Sequence, residues 1–275
     1  MSQIASSKNI TIIAGILMGT ITLSFIFIRR IPISSYSFGE FLGLALILYL
    51  APYGAYSYYV EKQNEILDKD LLDYLSQIES YVKSGKNLLF SLTLPKNERK
   101  KPLRKKLERL EKMLNLGFSP VEALGLIVQE MPTLLSKEAF SILQRLVIYG
   151  GDVGSVLESA REHLGDLLSI EDEKKSVMRN YGSIMYISYF ILLIILIFFI
   201  KYFLFRFSSS AISSPFGAFG NPLLIKNLML QFLIVEGAVS GIIAGKLISG
   251  KSSSGFIHSV VMIALGIIIY SVFIP

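Results

Sequence analysis

The sequence predicts an all-α polytopic membrane protein with about five transmembrane helices and one cytoplasmic antiparallel helical bundle. Three observations carry this. Nineteen of the 21 acidic residues lie between Glu61 and Glu173, the exceptions being Glu40 and Glu236. Charged residues make up 17% of the chain, where a soluble protein of this size carries roughly 25%. Mean hydropathy is +0.55 over 275 residues, 52% of them hydrophobic. Charge is expensive in hydrocarbon, so a water-facing block held between nearly acid-free stretches reads as one soluble domain between membrane segments. The expected divisions are 1–60, two transmembrane helices; 61–180, the bundle; and 181–275, three further transmembrane helices.

The first apolar run is Ile10 to Ile28, ended by Arg29-Arg30. At about 19 residues it is longer than a signal-peptide core, and no small-residue cleavage site follows. The second runs from about Phe38 to Tyr59. Pro52 inside it removes one backbone hydrogen bond and predicts a kink. Its tyrosine-rich end suits the membrane interface. The third, Tyr181 to Leu204, is the most hydrophobic. The fourth, about Asn227 to Gly245, contains Glu236; the fifth is Gly255 to Ile274. Each reaches the roughly 20 residues a helix needs to cross. Five crossings put the termini on opposite sides. A modest excess of Lys and Arg places the N-terminus and 61–180 in the cytoplasm and the C-terminus outside. Ser208 to Pro222, rich in Ser, Gly, Pro and Phe, reads as an outside loop.

Within the soluble block, Leu67, Leu71, Leu75, Ile78 and Val82 recur at helical steps. Leu103, Leu107, Leu110 and Leu114 do the same, as do Val153, Val156, Leu157, Ala160, Leu164 and Leu167. Ser119-Pro120-Val121-Glu122 is a capping box with proline at the first helical position. Gly85 and Gly117 fall where helices end, and Ser136 and Asp152 suit N-caps. The helices are expected near 64–84, 99–115, 120–131, 136–149, 153–168 and 169–180. Short connections imply antiparallel neighbours.

From Glu61 to Asn180 the two signs balance at 19 each. The net charge of +6 therefore belongs to the membrane-associated ends, which is flank charge and no signature of nucleic-acid binding. One local excess remains. Pro95 to Lys112 holds nine basic residues against Glu98, Glu108 and Glu111. Arg99, Lys100, Lys101, Arg104, Lys105, Lys106 and Arg109 are its core. Such a run is either a solvated or headgroup-facing helix side or a docking surface for an acidic cytoplasmic partner.

Glu236 costs about 2.5–3.5 kcal/mol near the centre of a membrane helix and should face protein or water. Gly237, Gly241 and Gly245 follow it at the spacing that lets helix backbones approach. The carboxyl is either hydrogen-bonded within the bundle or a contact point for another apolar helix. Gly15/Gly19 and Gly39/Gly43 repeat the spacing.

There is no cysteine and only His163 and His258, far apart. No thiol nucleophile, disulfide framework or plausible metal site follows. No paired carboxylates or His-based triad converge, so no catalytic residue, metal or cofactor is expected. Gly150-Gly151-Asp152-Val153-Gly154 lacks the lysine and the preceding strand of a nucleotide loop.

Residues 71–92 read LLDYLSQIESYVKSGKNLLFSL, 116–124 read LGFSPVEAL and 143–164 read LQRLVIYGGDVGSVLESAREHL. In this order, with Pro132 between the last two, they resemble the F domain of type II secretion and type IV pilus platform proteins. The motif turn falls on Gly151, Asp152, Gly154 and Leu157, with Asp where Glu is commoner. The resemblance covers roughly 65–200. It implies a non-enzymatic membrane platform that engages a hexameric cytoplasmic ATPase and helps move pilin-like subunits into a filament. A single bundle resembles the shorter Tad-type members, which implies a homodimer or a pair with a similar platform protein. Under it the basic run is the ATPase-docking candidate and Glu236 with its glycines a transmembrane packing or pilin contact. The alternative is a transporter permease subunit with a helical coupling domain, which needs a polar path where only Glu236 offers itself.

Overall fold

A computed structural model describes residues 2–33, 35–94, 99–204 and 222–274, and every regular element among them is helical. The stretch around Lys96 and Glu98 and the 208–222 loop expectation, up to residue 221, lie outside the described residues. The elements are α1 (Ser2–Ile28), α2 (Tyr36–Lys83), α3 (Leu88–Thr93), α4 (Lys101–Asn115), α5 (Pro120–Glu130), α6 (Leu134–Tyr149) and α7 (Val153–Phe198). A π-helical segment (Phe199–Leu204) extends α7, and α8 (Pro222–Ser249) and α9 (Gly255–Phe273) close the chain. They form two compact units. One is Met1–Tyr58 with Lys175–Pro275, and the other is Tyr59–Lys174.

The second unit is the helical bundle. Its helices form where apolar stripes meet explicit start and stop signals. Ser119 accepts a hydrogen bond from the Glu122 amide at 3.2 Å and so opens α5 behind Pro120. Asn87 opens α3, a short helix whose start was legible only as an apolar restart after the Gly85 turn. The α6 cap falls on Thr133 rather than Ser136. Thr133 takes the extended conformation before the helix and accepts from the Ser136 amide at 3.1 Å. Ser136 sits at the third helical position and returns the bond to the Thr133 amide, the reciprocal arrangement of a capping box. Gly85 and Gly117 end α2 and α4 at φ +85° and +90°. Lys86 donates to the Tyr81 carbonyl and Phe118 to that of Met113, the six-to-one bond that a left-handed glycine permits.

No break separates 153–168 from 169–180; α7 is one helix. Ser169, at the expected junction, donates its hydroxyl backwards to the Asp166 carbonyl at 2.8 Å. The bundle core joins Leu71, Tyr74, Leu75 and Ile78 of α2 to Leu103, Leu107 and Leu110 of α4, Leu124 and Ile127 of α5, Phe140 and Leu143 of α6, and Leu157 and Leu164 of α7. Each such side chain contributes about 1.5–3 kcal/mol on leaving water. Tyr74 carries the one polar group in this set, and its hydroxyl donates to the Leu92 carbonyl at 2.8 Å.

The other unit holds the apolar segments. Among the described residues, helices covering Tyr36–Lys83, Val153–Tyr202, Leu223–Ser249 and Ser252–Phe273 are long and apolar enough to cross a membrane, and Ile13–Ile28 is a shorter apolar helix. The chain is a multi-pass, all-α membrane protein. Small residues set its contacts. A methyl group at Gly15 or Gly19 of α1 would meet Tyr49 of α2, and one at Gly43 would meet Ile234 of α8 and Ile267 of α9. Helix α2 runs through Pro52 without interruption. Tyr189, Leu193, Leu233, Met262, Ile263 and Tyr270 are central to the buried cluster.

Candidate functional site

The basic run is sorted by helix α4 into two populations. Leu103, Leu107, Leu110 and Met113 turn inward, so the cations must lie on the flanks or on the outer face. Arg99, just before the helix, is buried: its side chain is 4% exposed, against 5% for Asp70, whose Oδ1 lies 3.4 Å from Arg99 Nη1. Asp70 also accepts from the Lys100 backbone amide at 2.7 Å. Lys106 and Arg109 straddle Glu130 at the end of α5, at 3.1 and 2.6 Å. Arg104 lies 3.7 Å from Glu108. Lys100, Lys101, Lys105 and Lys112 are exposed and form no ion pair among the described residues.

The partners of the paired members could not be read from the run itself, since Asp70 and Glu130 come from other segments. Asp68 accepts from the Thr133 hydroxyl at 2.6 Å, tying the α6 cap to α2. Two exposed apolar side chains follow α4, Leu116 at 77% at its cap and Phe118 at 39% across the Gly117 turn. Sequence reading passed over them because they sit in a turn.

The Gly151-Asp152 turn is built for connection. Gly150 and Gly151 take φ +65° and +94°, Asp152 Oδ1 accepts from the Ser155 amide at 3.2 Å, and Leu157 is fully buried. Gly154 is buried close to Lys83. Around it, Lys83 bridges Glu79 at 2.7 Å and Glu158 at 2.9 Å, while Arg161 reaches the other Glu79 oxygen at 3.1 Å. The hydrogen bond from Lys83, reinforced by Arg161, holds the Glu79 carboxyl below the usual carboxylate range; the same bond raises Lys83.

In the apolar unit the three glycines of α8 close a seam. A methyl group at Gly237 would lie 3.1 Å from the Tyr189 hydroxyl and 3.3 Å from the Ile263 amide. Gly241 abuts Ser259, and Gly245 abuts Gly255 and His258. Ser259 donates to the Ala238 carbonyl at 2.7 Å across this seam. Glu236 sits beside it, half-buried, and accepts from Ser240 of its own helix at 2.9 Å. Beyond it, Phe232, Val235, Val239 and Ile243 are exposed. His258 meets Tyr186 at 2.6 Å. His163 is exposed and 3.6 Å from Glu138. No group of three or more His, Asp or Glu suited to a metal ion occurs among the described residues. What the arrangement offers is contact chemistry: a cationic helix face and a carboxyl at the rim of a tightly packed seam.

Residues 74–200 match the model of the family Type II secretion system (T2SS), protein F. The match starts in the bundle part of α2 and ends where α7 passes into its π-helical extension. Neither a curated protein nor a solved structure matches the chain.

Proposed function

From its type II secretion protein F domain, we propose that this multi-pass membrane protein is the platform of a type IV pilus or type II secretion-like machine. In this reading it couples a cytoplasmic hexameric ATPase to the extraction of pilin-like subunits and their assembly into a filament. The family match at 74–200 carries the reading. The bundle and the N-terminus lie in the cytoplasm of a cell-membrane protein whose C-terminus is outside. The chain works as a homodimer or paired with a similar platform protein, and it performs no chemistry of its own. The ATPase docks on α4, whose outer lysines form no ion pair among the described residues. The Glu236 rim receives a neighbouring apolar helix.

The test is co-purification of the ATPase with the full chain from membranes, together with filament output in a strain lacking the chain. Loss of filaments and recovery of the ATPase are expected. Normal filaments in the deletion strain would overturn the reading.

A further inference from the structure

The basic run does not act as a unit. Four of its cations have structural partners: Arg99 with Asp70, Arg104 with Glu108, and Lys106 and Arg109 with Glu130. The outward lysines that remain on α4 are Lys101, Lys105 and Lys112. They are spaced four and seven residues apart, which at 3.6 residues per turn puts them on one narrow stripe. The same stripe continues to Leu116, one turn beyond Lys112, and Phe118 follows across the Gly117 turn. At the same end of the α5–α6 hairpin, Ile148 and Tyr149 are 49% and 81% exposed. The hairpin register is fixed by Gln144, which donates to the Val121 carbonyl at 2.9 Å and so brings the α5 start beside the α6 end.

We propose that Lys101, Lys105, Lys112, Leu116 and Phe118 form one docking stripe. Its occupant is a protein segment that presents carboxylates at helical spacing and ends in an apolar anchor. The inference rests on the reading that a cytoplasmic partner docks on α4; it names the residues that serve and the chemistry they meet. Charge complementarity selects the occupant, since three lysines in a row with no ion pair among the described residues attract acids, and the two apolar side chains at the end favour a ligand with an apolar anchor. A protein fits better than a lipid surface. Glu108 lies within the stripe and is exposed. A uniform anionic headgroup layer repels it, whereas a segment can leave that position neutral.

The test uses the full chain in lipid nanodiscs and a fluorescent helical peptide with glutamates at every fourth position and two leucines at one end. Replacing the glutamates by glutamine, or the leucines by serine, is expected to weaken binding. So is the triple variant Lys101→Gln/Lys105→Gln/Lys112→Gln, by about tenfold for three exposed ion pairs. Leu116→Ser should act independently of that variant, and Lys137→Gln, on α6, should change nothing. Equal weakening by Lys137→Gln, or no effect of the triple variant, would overturn the stripe. In cells, a photo-crosslinker at Lys105 and at Leu116 should capture one acidic, apolar-ended segment. Capture of that segment in the ATPase supports both readings. Its capture in another protein supports the stripe and removes the ATPase as its partner. Capture of lipid at both positions overturns the stripe.

Discussion

Asp70 and Arg99 show how little a residue's charge says about its use. Arg99 stands in the most basic stretch of the chain, yet it is sealed inside with Asp70. Removing one partner breaks a buried ion pair, which costs about 3–5 kcal/mol. Arg99→Met and Asp70→Asn should each lower the thermal midpoint of the detergent-solubilised chain; midpoints equal to wild type would show that the pair bears no such cost. Glu79 gives a pH test. Its carboxyl is held low by Lys83 and Arg161, so its contribution is complete above the ordinary carboxylate value and is lost as pH falls through the depressed one. The Glu79→Gln variant should therefore differ from wild type in thermal midpoint at pH 7 and converge with it once pH has fallen below the depressed carboxyl value. A gap that persists at low pH would place the Glu79 effect in packing. The long-range pairings were not legible in the sequence, because Arg99 and Asp70 are 29 residues apart and Arg161 and Glu79 are 82 apart. Periodicity reports which face a residue takes, never who stands opposite.

Elements were read more surely than their junctions. The stripes of α2, α4 and α7 follow directly from apolar spacing, since an amphipathic helix must bury that face. The α6 start was displaced because two hydroxyl residues, Thr133 and Ser136, compete for one cap, and the choice depends on Asp68 of another helix. Thr133→Ala should cost about 1–2 kcal/mol, measured as a lowered denaturation midpoint, and Ser136→Ala should cost less. If Ser136→Ala is the worse, the cap assignment is wrong. Gly165 in α7 has nothing within 4 Å of where a methyl group would go. Gly165→Ala should stabilise the helix by about 0.5–1 kcal/mol, while Gly241→Leu, which drives a side chain into Ser259, should abolish accumulation in membranes. The glycine spacing was visible in the sequence, but its partner helix was not: the ridge on α8 fits α9, and Glu236 lies beside the seam rather than in it.

At the scale of the whole molecule, the partition of acids led to the membrane class because the bilayer imposes one rule on every span. The proposed platform role makes Glu236 a test of the membrane-side contact. Glu236→Gln keeps the Ser240 hydrogen bond and should leave membrane levels unchanged while reducing filament output; unchanged filaments would make the carboxylate dispensable. The α8–α9 pair also has a consequence for how the protein is made. Its helices are joined by five residues, 250–254, and meet through glycine and serine. The Ser259 hydroxyl is satisfied by Ala238 and Gly255, within the pair. Glu236 is bonded within α8. The polar groups of the seam itself are therefore satisfied within the pair, whereas Gln231, His258 and Ser271 take partners from Ile33, Tyr186 and Tyr36. The last two spans can leave the insertion machinery as a hairpin whose seam is already made, and the bonds of Gln231, His258 and Ser271 then form as this preassembled wedge docks on the other helices.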